Sequence, residues 1–317
     1  MKIFKAYKVG FVSAVKSKKM ATLIYAATFL FALLLAIPFR STLGRIAGNS
    51  MDINSMIKGF DFTTYADFLR AAGHAISPFI SAAFWFGVLY LIFTVFFAGG
   101  VLKILNEENQ KFSARLFFEY CSVFFFRFLR LAIYLLILQL IFALIVFFPL
   151  AAIVTMVSRT VQNEAVLFYI VLAGIIVYLF FFILLLIIGD YAKIILFNYD
   201  SRKSLMSIWL SLKFVIRHLF STYLLYLFIL IAPIVFFLIY FYLDNVIGMV
   251  SGITIFIMFI IQQILIWART WVKIWFLGSE ISLYGLFPAV KMSKVKEEVL
   301  PETATDEQGL NESPLPS

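Results

Sequence analysis

The chain has little of what soluble proteins and most enzymes carry. Charged residues make up only 14% of its 317 residues, whereas a soluble domain is about a quarter charged. Its single cysteine, Cys121, excludes an intramolecular disulfide and cannot form a metal site alone. Its two histidines, His74 and His218, are far apart in the sequence. These shortages argue against a water-soluble fold, a disulfide scaffold and a metal centre built from cysteine or histidine.

The chain also lacks the sequence motifs of common catalytic sites. Gly99-Gly100 is an isolated pair rather than a phosphate-binding loop, and no His-Glu-x-x-His motif or Ser–Lys or Ser–His arrangement occurs in an apolar segment. Energy-coupled pumps generally need an ionisable group deep in the membrane, and the predicted spans contain none. We therefore expect no enzyme activity, no cofactor and no ATP-driven or proton-driven role.

What the chain has is apolar residues, which make up 63% of it and include 39 phenylalanines. One aqueous core cannot hide so many, so their solvent must be lipid. Six segments reach the roughly 20 apolar residues that cross a bilayer. They lie near 20–38, 79–99, 131–156, 166–189, 221–243 and 250–268. The sequence thus predicts an all-α membrane protein with six transmembrane helices.

Basic residues are distributed unevenly between the two sides of these spans. The N-terminus, 99–130, 190–220 and the chain from 269 onward carry 21 Lys and Arg in total, and the opposite loops carry five. Because cytoplasmic loops are enriched in Lys and Arg, we expect both termini in the cytoplasm and the protein in a bacterial inner membrane. This distribution explains the net charge of +9 without nucleic acid.

Three basic stretches, 3–19, 113–127 and 204–217, have apolar residues at helical spacing on one face. Such helices lie in the headgroup plane with their basic face toward anionic lipid. We predict three interfacial helices, which either only anchor the bundle or also bind a specific lipid or partner.

The chain repeats a cycle of basic stretch, apolar pair and Lys-Ile three times. The three lysines are Lys103, Lys193 and Lys273, and 24 residues separate Lys103 from Arg127 and Lys193 from Arg217. This spacing predicts a pseudo-threefold repeat. We place the copies at about 1–104, 105–194 and 195–286, within one membrane domain, 1–296.

Asp190 and Lys193, three residues apart at a span end, are predicted to pair with each other or with Arg217. The three lysines either snorkel from span ends or ring a cytoplasmic opening that attracts an anion. The candidate structural or ligand-contacting residues are Asp190, Lys193, Arg217, Lys103, Arg127 and Lys273.

Other polar features have ordinary explanations. Gln139, Gln262 and Gln263 are predicted to form hydrogen bonds between spans. The external loop should contain a short helix that begins with a capping box at 64–67 and ends at Gly73. Residues 297–317 are acidic and should form a disordered cytoplasmic tail.

The run from Gly189-Asp190-Tyr191-Ala192-Lys193-Ile194 to Arg217, and that from Trp271 to Tyr284, resemble a group of uncharacterised bacterial membrane proteins. The three-copy layout is also similar to the membrane domain that precedes some glycerophosphodiester phosphodiesterases. The resemblance implies a polytopic membrane fold. No phosphodiesterase domain is present, so that activity is not implied.

The function that these patterns favour is that of a non-enzymatic membrane protein whose partners are anionic lipids of the cytoplasmic leaflet. The alternative is a passive transporter or channel with a path along the pseudo-threefold axis, and a third is an intramembrane lipid enzyme. A packed apolar centre would favour the first, and a continuous polar cavity the second. The sequence specifies no protein partner, solute or oligomeric state.

Overall fold

The computed structural model describes residues 2–47, 62–107, 112–160, 163–200, 203–247 and 251–287. These residues form eight helices and no strand. The helices are α1 (Lys2–Lys16), α2 (Lys18–Ala47), α3 (Phe62–Asn106), α4 (Ala114–Thr160), α5 (Glu164–Asn198), α6 (Ser204–Arg217), α7 (Leu219–Ile247) and α8 (Gly252–Gly285). The predicted tail and the side chains of the predicted capping box lie outside the described residues.

Six of the helices, α2, α3, α4, α5, α7 and α8, contain segments long and apolar enough to cross a membrane. The prediction of an all-helical chain with six spans is therefore confirmed, as expected of a multi-pass membrane protein. Several helices extend well beyond the predicted spans. The 47 residues of α4 measure about 70 Å at 1.5 Å per residue, more than twice the hydrocarbon thickness of about 30 Å.

The prediction of a separate helix over 113–127 is wrong, because this stretch is the first third of α4. Its buried residues continue without interruption across the predicted junction at Arg127. They are Phe117, Cys121, Phe124, Phe128 and Leu131. Spacings of four, three, four and three keep them on one helical face, and no proline or glycine interrupts them. Nothing in this segment favours a break.

The segment between the first two spans also differs from its prediction. The structure shows no helix end at Gly73, because α3 is continuous from Phe62 to Asn106 and includes Pro78. Proline removes one backbone donor, and helices in membrane proteins tolerate that loss. A glycine within a helix lowers its propensity without ending it.

Two of the three predicted basic helices are separate elements. Ser17 divides α1 from α2, and His218 divides α6 from α7. The bonds from the Ser17 amide to Ser13 O (3.0 Å) and from the His218 amide to Phe214 O (3.1 Å) carry helical hydrogen bonding into each junction. Each basic helix is therefore joined to the following span through a single residue, without a loop.

Most buried side chains lie at one end of the bundle, here called the packed end. It consists of α1, α6, the starts of α2, α4 and α7, and the last turns of α3, α5 and α8. The middles of the spans expose large apolar residues instead, such as Ile145 (62% exposed) and Ile176 (58%). Such surfaces suit lipid rather than water, so the helices are held together mainly at the packed end.

Small residues allow the closest helix contacts there. On α1, Gly10 lies against Ser279 of α8, and a Cβ added to Gly10 would stand 2.6 Å from Ser279 Cα. On α3, a Cβ at Gly100 would stand 2.7 Å from Cys121 Sγ of α4. Real side-chain contacts are longer, so glycine is required at both positions.

Candidate functional site

The last turns of α5 bring together the pair that the sequence singled out. Lys193 Nζ lies 2.7 Å from Asp190 Oδ1. The Asp190 and Lys193 side chains are 28% and 30% exposed, so water reaches this ion pair only partly. An opposite charge one helical turn away lowers the cost of removing each group from water.

A second carboxylate, Glu280 of α8, faces this pair. Glu280 is only 3% exposed, and it interacts electrostatically with Asp190 and Lys193. Its Oε2 atom is buried and has no hydrogen-bond partner in the part of the chain that the structure describes. The site therefore contains two carboxylates and one ammonium group. This arrangement can take up a proton or a cation, because an uncompensated buried carboxylate is costly.

Aromatic rings surround these charges. The Tyr191 ring lies 5.0 Å from that of Phe214 on α6, which lies 5.0 Å from that of Tyr284 on α8. The Tyr191 hydroxyl is buried and has no hydrogen-bond partner among the described residues. Helices α5, α6 and α8 thus meet around a small charged centre with an apolar lining. Among the described residues, no group of three or more His, Cys, Asp or Glu is arranged to hold a metal ion.

Glu280 is absent from the predicted site because the predicted sixth span ends at residue 268. One signal was available. The residues four and three positions before and after Glu280 are Phe276, Leu277, Leu283 and Tyr284. An acidic residue whose helical neighbours are all apolar or aromatic belongs to a buried helix face.

The remaining predicted site residues do not join this cluster. Arg127 forms an ion pair with Asp200, whereas Arg217 is exposed and forms no ion pair with a described residue. Lys103 pairs with Glu107, and its Nζ lies 4.3 Å from the centre of the Tyr120 ring. Lys273 Nζ lies 5.8 Å from the centre of the Tyr90 ring. Each of the three lysines therefore has a different partner, and the ring of lysines finds no support.

The three glutamines of the spans bind tyrosines of other helices, as predicted. Gln139 donates to Tyr178 Oη (3.2 Å), Gln262 donates to Tyr240 Oη (2.9 Å), and Tyr25 donates to Gln263 Oε1 (2.9 Å). These bonds connect α4 with α5, α8 with α7, and α2 with α8. The amide groups of the glutamines therefore hold neighbouring helices together.

Helix α1 has two contrasting faces. Ala6, Gly10 and Ala14 are buried against its neighbours. Lys5, Lys8 and Lys16 instead line a surface depression of about 350 Å³. Small residues on one face allow close packing, and the lysines on the other form a concentrated positive surface.

His218, at the junction between α6 and α7, lies close to positive charges and to an aromatic ring. Its ring stacks on Phe287 at 3.9 Å. Partial desolvation, with the nearby positive charges of Arg217 and Lys2, lowers the pKa of His218 below its ordinary value of 6.5. The neutral imidazole is therefore the favoured form in the folded protein at neutral pH.

The described residues thus define an all-helical chain with six helices able to span a membrane and a charged cluster at their packed end. The chain matches no protein-family model, no curated protein and no solved structure. The resemblance to uncharacterised bacterial membrane proteins therefore stays a prediction.

Proposed function

We propose that the protein is a non-enzymatic inner-membrane protein that binds anionic lipids of the cytoplasmic leaflet through its packed end. The observation that carries this proposal is the lysine face of α1, where Lys5, Lys8 and Lys16 line one depression. Each Lys or Arg close to an anionic leaflet adds about 1 kcal/mol of attraction. The basic asymmetry of the loops supports a cytoplasmic location for this face and for both termini.

The interfacial placement of α1 and α6 belongs to the same proposal. Both helices expose apolar side chains beside cations, for example Phe4 (67% exposed) on α1 and Trp209 (53%) on α6. An apolar side chain next to a cation suits the boundary between headgroups and acyl chains. The anchoring role of the three predicted basic stretches thus falls to two separate helices and to the start of α4.

We also propose that the internal repeat exists in a register that differs from the one predicted through Lys273. The pairing of helices supports this register, because a basic helix or segment packs on each helix that ends in one of the pairs Gly99-Gly100, Gly189-Asp190 and Gly278-Ser279. The start of α4 packs on α3, α6 packs on α5, and α1 packs on α8. The contact is made at the glycines themselves in the first and third cases, whereas Gly189 lies against Leu135 of α4. In this arrangement α1, the first basic helix of the chain, packs on the end of α8, which is the last helix.

A lipid-preference experiment tests the main proposal. Purified protein is exposed to an equimolar mixture of phosphatidylglycerol and phosphatidylcholine, and the retained lipids are measured by native mass spectrometry. Wild type should retain mainly phosphatidylglycerol, with a preference that weakens as salt increases. The triple variant Lys5→Gln, Lys8→Gln and Lys16→Gln should lose much of the preference for phosphatidylglycerol. Arg159→Gln, at the opposite end of α4, is the control and should keep this preference. No preference in wild type would refute the proposal.

Passive transport is the second candidate, favoured by the buried and unpaired oxygen of Glu280 beside Asp190 and Lys193. Solute or ion flux into liposomes that contain wild type, abolished by Glu280→Gln, would support a transport path through this cluster. The glutamine–tyrosine bonds argue against a path along the spans, because they connect the helices that would line it.

A further inference from the structure

A basic cavity of about 510 Å³ lies between α4 and α6. Arg130 lines it from α4, and Lys203, the N-cap residue of α6, lines it from the other side. Both side chains are exposed, and none of the residues that line the cavity is acidic. Two cations that share one recess concentrate positive potential there and attract an anion.

Arg130 differs from the arginine one turn before it. Arg127 has a carboxylate partner in Asp200, and its guanidinium lies 5.2 Å from the centre of the Phe124 ring. Arg130 makes no hydrogen bond or ion pair with any described residue. Its planar guanidinium can therefore give two parallel N–H bonds to the oxygens of a phosphate group. We infer that Arg127 has a structural role and that Arg130 is the residue open to a ligand.

The remaining wall of the cavity is aromatic and apolar. Tyr134 lies one turn beyond Arg130, and Trp209 and Leu205 of α6 are 53% and 62% exposed. Tyrosine and tryptophan prefer the level of the lipid headgroups, where one part of the ring is wet and the other apolar. Lys213 Nζ, 5.1 Å from the centre of the Trp209 ring, adds a third positive charge. The cavity therefore presents cations beside an apolar surface, which suits an anion attached to a hydrocarbon chain.

We propose that this cavity binds the phosphate group of an anionic phospholipid. Arg130 and Lys203 contact the phosphate oxygens, while Tyr134, Trp209 and Leu205 contact the glycerol and the first carbons of the acyl chains. The volume lies within the range of specific ligand sites, about 300–1,000 Å³. The inference rests on the proposed function and narrows it from a general attraction to one site. A soluble phosphate ester offers the same anionic group, so the test separates the two sources.

The test measures the affinity of detergent-purified protein, stripped of lipid, for short-chain phosphatidylglycerol by native mass spectrometry. The variant with both Arg130→Gln and Lys203→Gln should bind at least about tenfold more weakly than wild type, since two charge-assisted contacts are lost. Arg159→Gln removes an exposed cation from the opposite end of the same helix, outside the cavity, and should bind like wild type. Leu205→Glu adds a negative charge at the exposed rim and should also weaken binding.

Each outcome decides one point. Equal affinity of the double variant and wild type would overturn the inference. If both still preferred phosphatidylglycerol over phosphatidylcholine, the broader proposal would survive. Inorganic phosphate at millimolar concentration should not displace the lipid from wild type. Displacement that depends on Arg130 and Lys203 would assign the cavity to a soluble phosphate ester and overturn the lipid assignment. Unchanged thermal unfolding temperatures of the variants would confirm that the exposed substitutions leave the fold intact.

Discussion

At the scale of residues, the charged cluster at the packed end holds two carboxylates and one ammonium group close together and largely away from water. The ammonium of Lys193 is the positive charge that interacts with both Asp190 and Glu280. Removing Lys193 therefore leaves two carboxylates facing each other, whereas removing Asp190 leaves one carboxylate with the ammonium. The two single substitutions should thus have unequal effects.

We expect Asp190→Ala and Lys193→Ala each to lower the thermal unfolding temperature in detergent, with Lys193→Ala the more harmful. The double variant should be less destabilised than the sum of the two, by about 0.5 kcal/mol or more, because neither partner is then left alone. A double-mutant cycle on thermal unfolding measures this coupling. Strictly additive effects would show that the two residues act independently.

The second prediction at this scale concerns His218. Its pKa is lowered in the folded state by desolvation and by the charges of Arg217 and Lys2. Below about pH 6.5 the unfolded chain therefore binds more protons at this site than the folded chain does. The stability that His218 contributes is present above pH 6.5 and is lost as the pH falls through its folded pKa.

The unfolding temperature of wild type should accordingly decrease as the pH falls from about 7.5 to about 5.5. His218→Gln should make this decrease smaller. Thermal unfolding across that range measures it. An identical pH profile for the two proteins would show that His218 does not titrate differently on unfolding. The glutamine variant should keep the helical content of wild type, because glutamine is at least as good a helix former as histidine.

At the scale of helices, close contact between α1 and α8 holds the first helix to the packed end. A Cβ at Gly10 would collide with Ser279, and the backbone atoms involved cannot move aside as a flexible side chain does. Overpacking of this kind costs about 1–3 kcal/mol.

Gly10→Ala should therefore lower the unfolding temperature, although alanine is the better helix former. Gly87→Ala is the matched control, because α3 leaves nothing within 4 Å of an added Cβ there. It should leave the unfolding temperature unchanged or raise it. Equal effects of the two substitutions would mean that α1 does not pack on α8 as described.

The sequence predicted the helices better than it predicted their ends. Six apolar runs identified six spans because lipid exposure requires continuous apolar sequence, and the exposed middles of α4 and α5 meet that requirement directly. A span predicted from hydropathy ends at the first polar residues, however, whereas the helix continues beyond them. The buried stripe from Phe117 to Leu131 and the turns around Glu280 are held by packing against other helices, which a single segment does not reveal.

The candidate site was predicted in part for the same reason. Asp190 and Lys193 lie three residues apart on one helix, so local spacing was enough to pair them. Glu280 lies 90 residues beyond Asp190 in the sequence and reaches it only through the contact between α5 and α8. The partner of Arg127 was not predicted for a similar reason, since Asp200 follows the end of another helix, α5.

At the scale of the whole molecule, the helices pack at one end and expose apolar side chains along their spans. Such a molecule depends on lipid to complete its structure, and basic side chains line two depressions at its packed end. The proposed function requires one orientation, with the packed end and both termini in the cytoplasm and the short connection after α4 outside.

Cysteine accessibility tests this orientation most directly. Cys121 is the single cysteine and is buried, so Cys121→Ala gives a cysteine-free background with little change of surface. In that background Arg159→Cys, at the end of α4, should react with a membrane-impermeant maleimide in intact cells. Lys8→Cys and Arg217→Cys should react only after the cells are permeabilised. Labelling of all three positions under the same condition would contradict the six-span orientation, and with it the placement of the basic surfaces against the cytoplasmic leaflet.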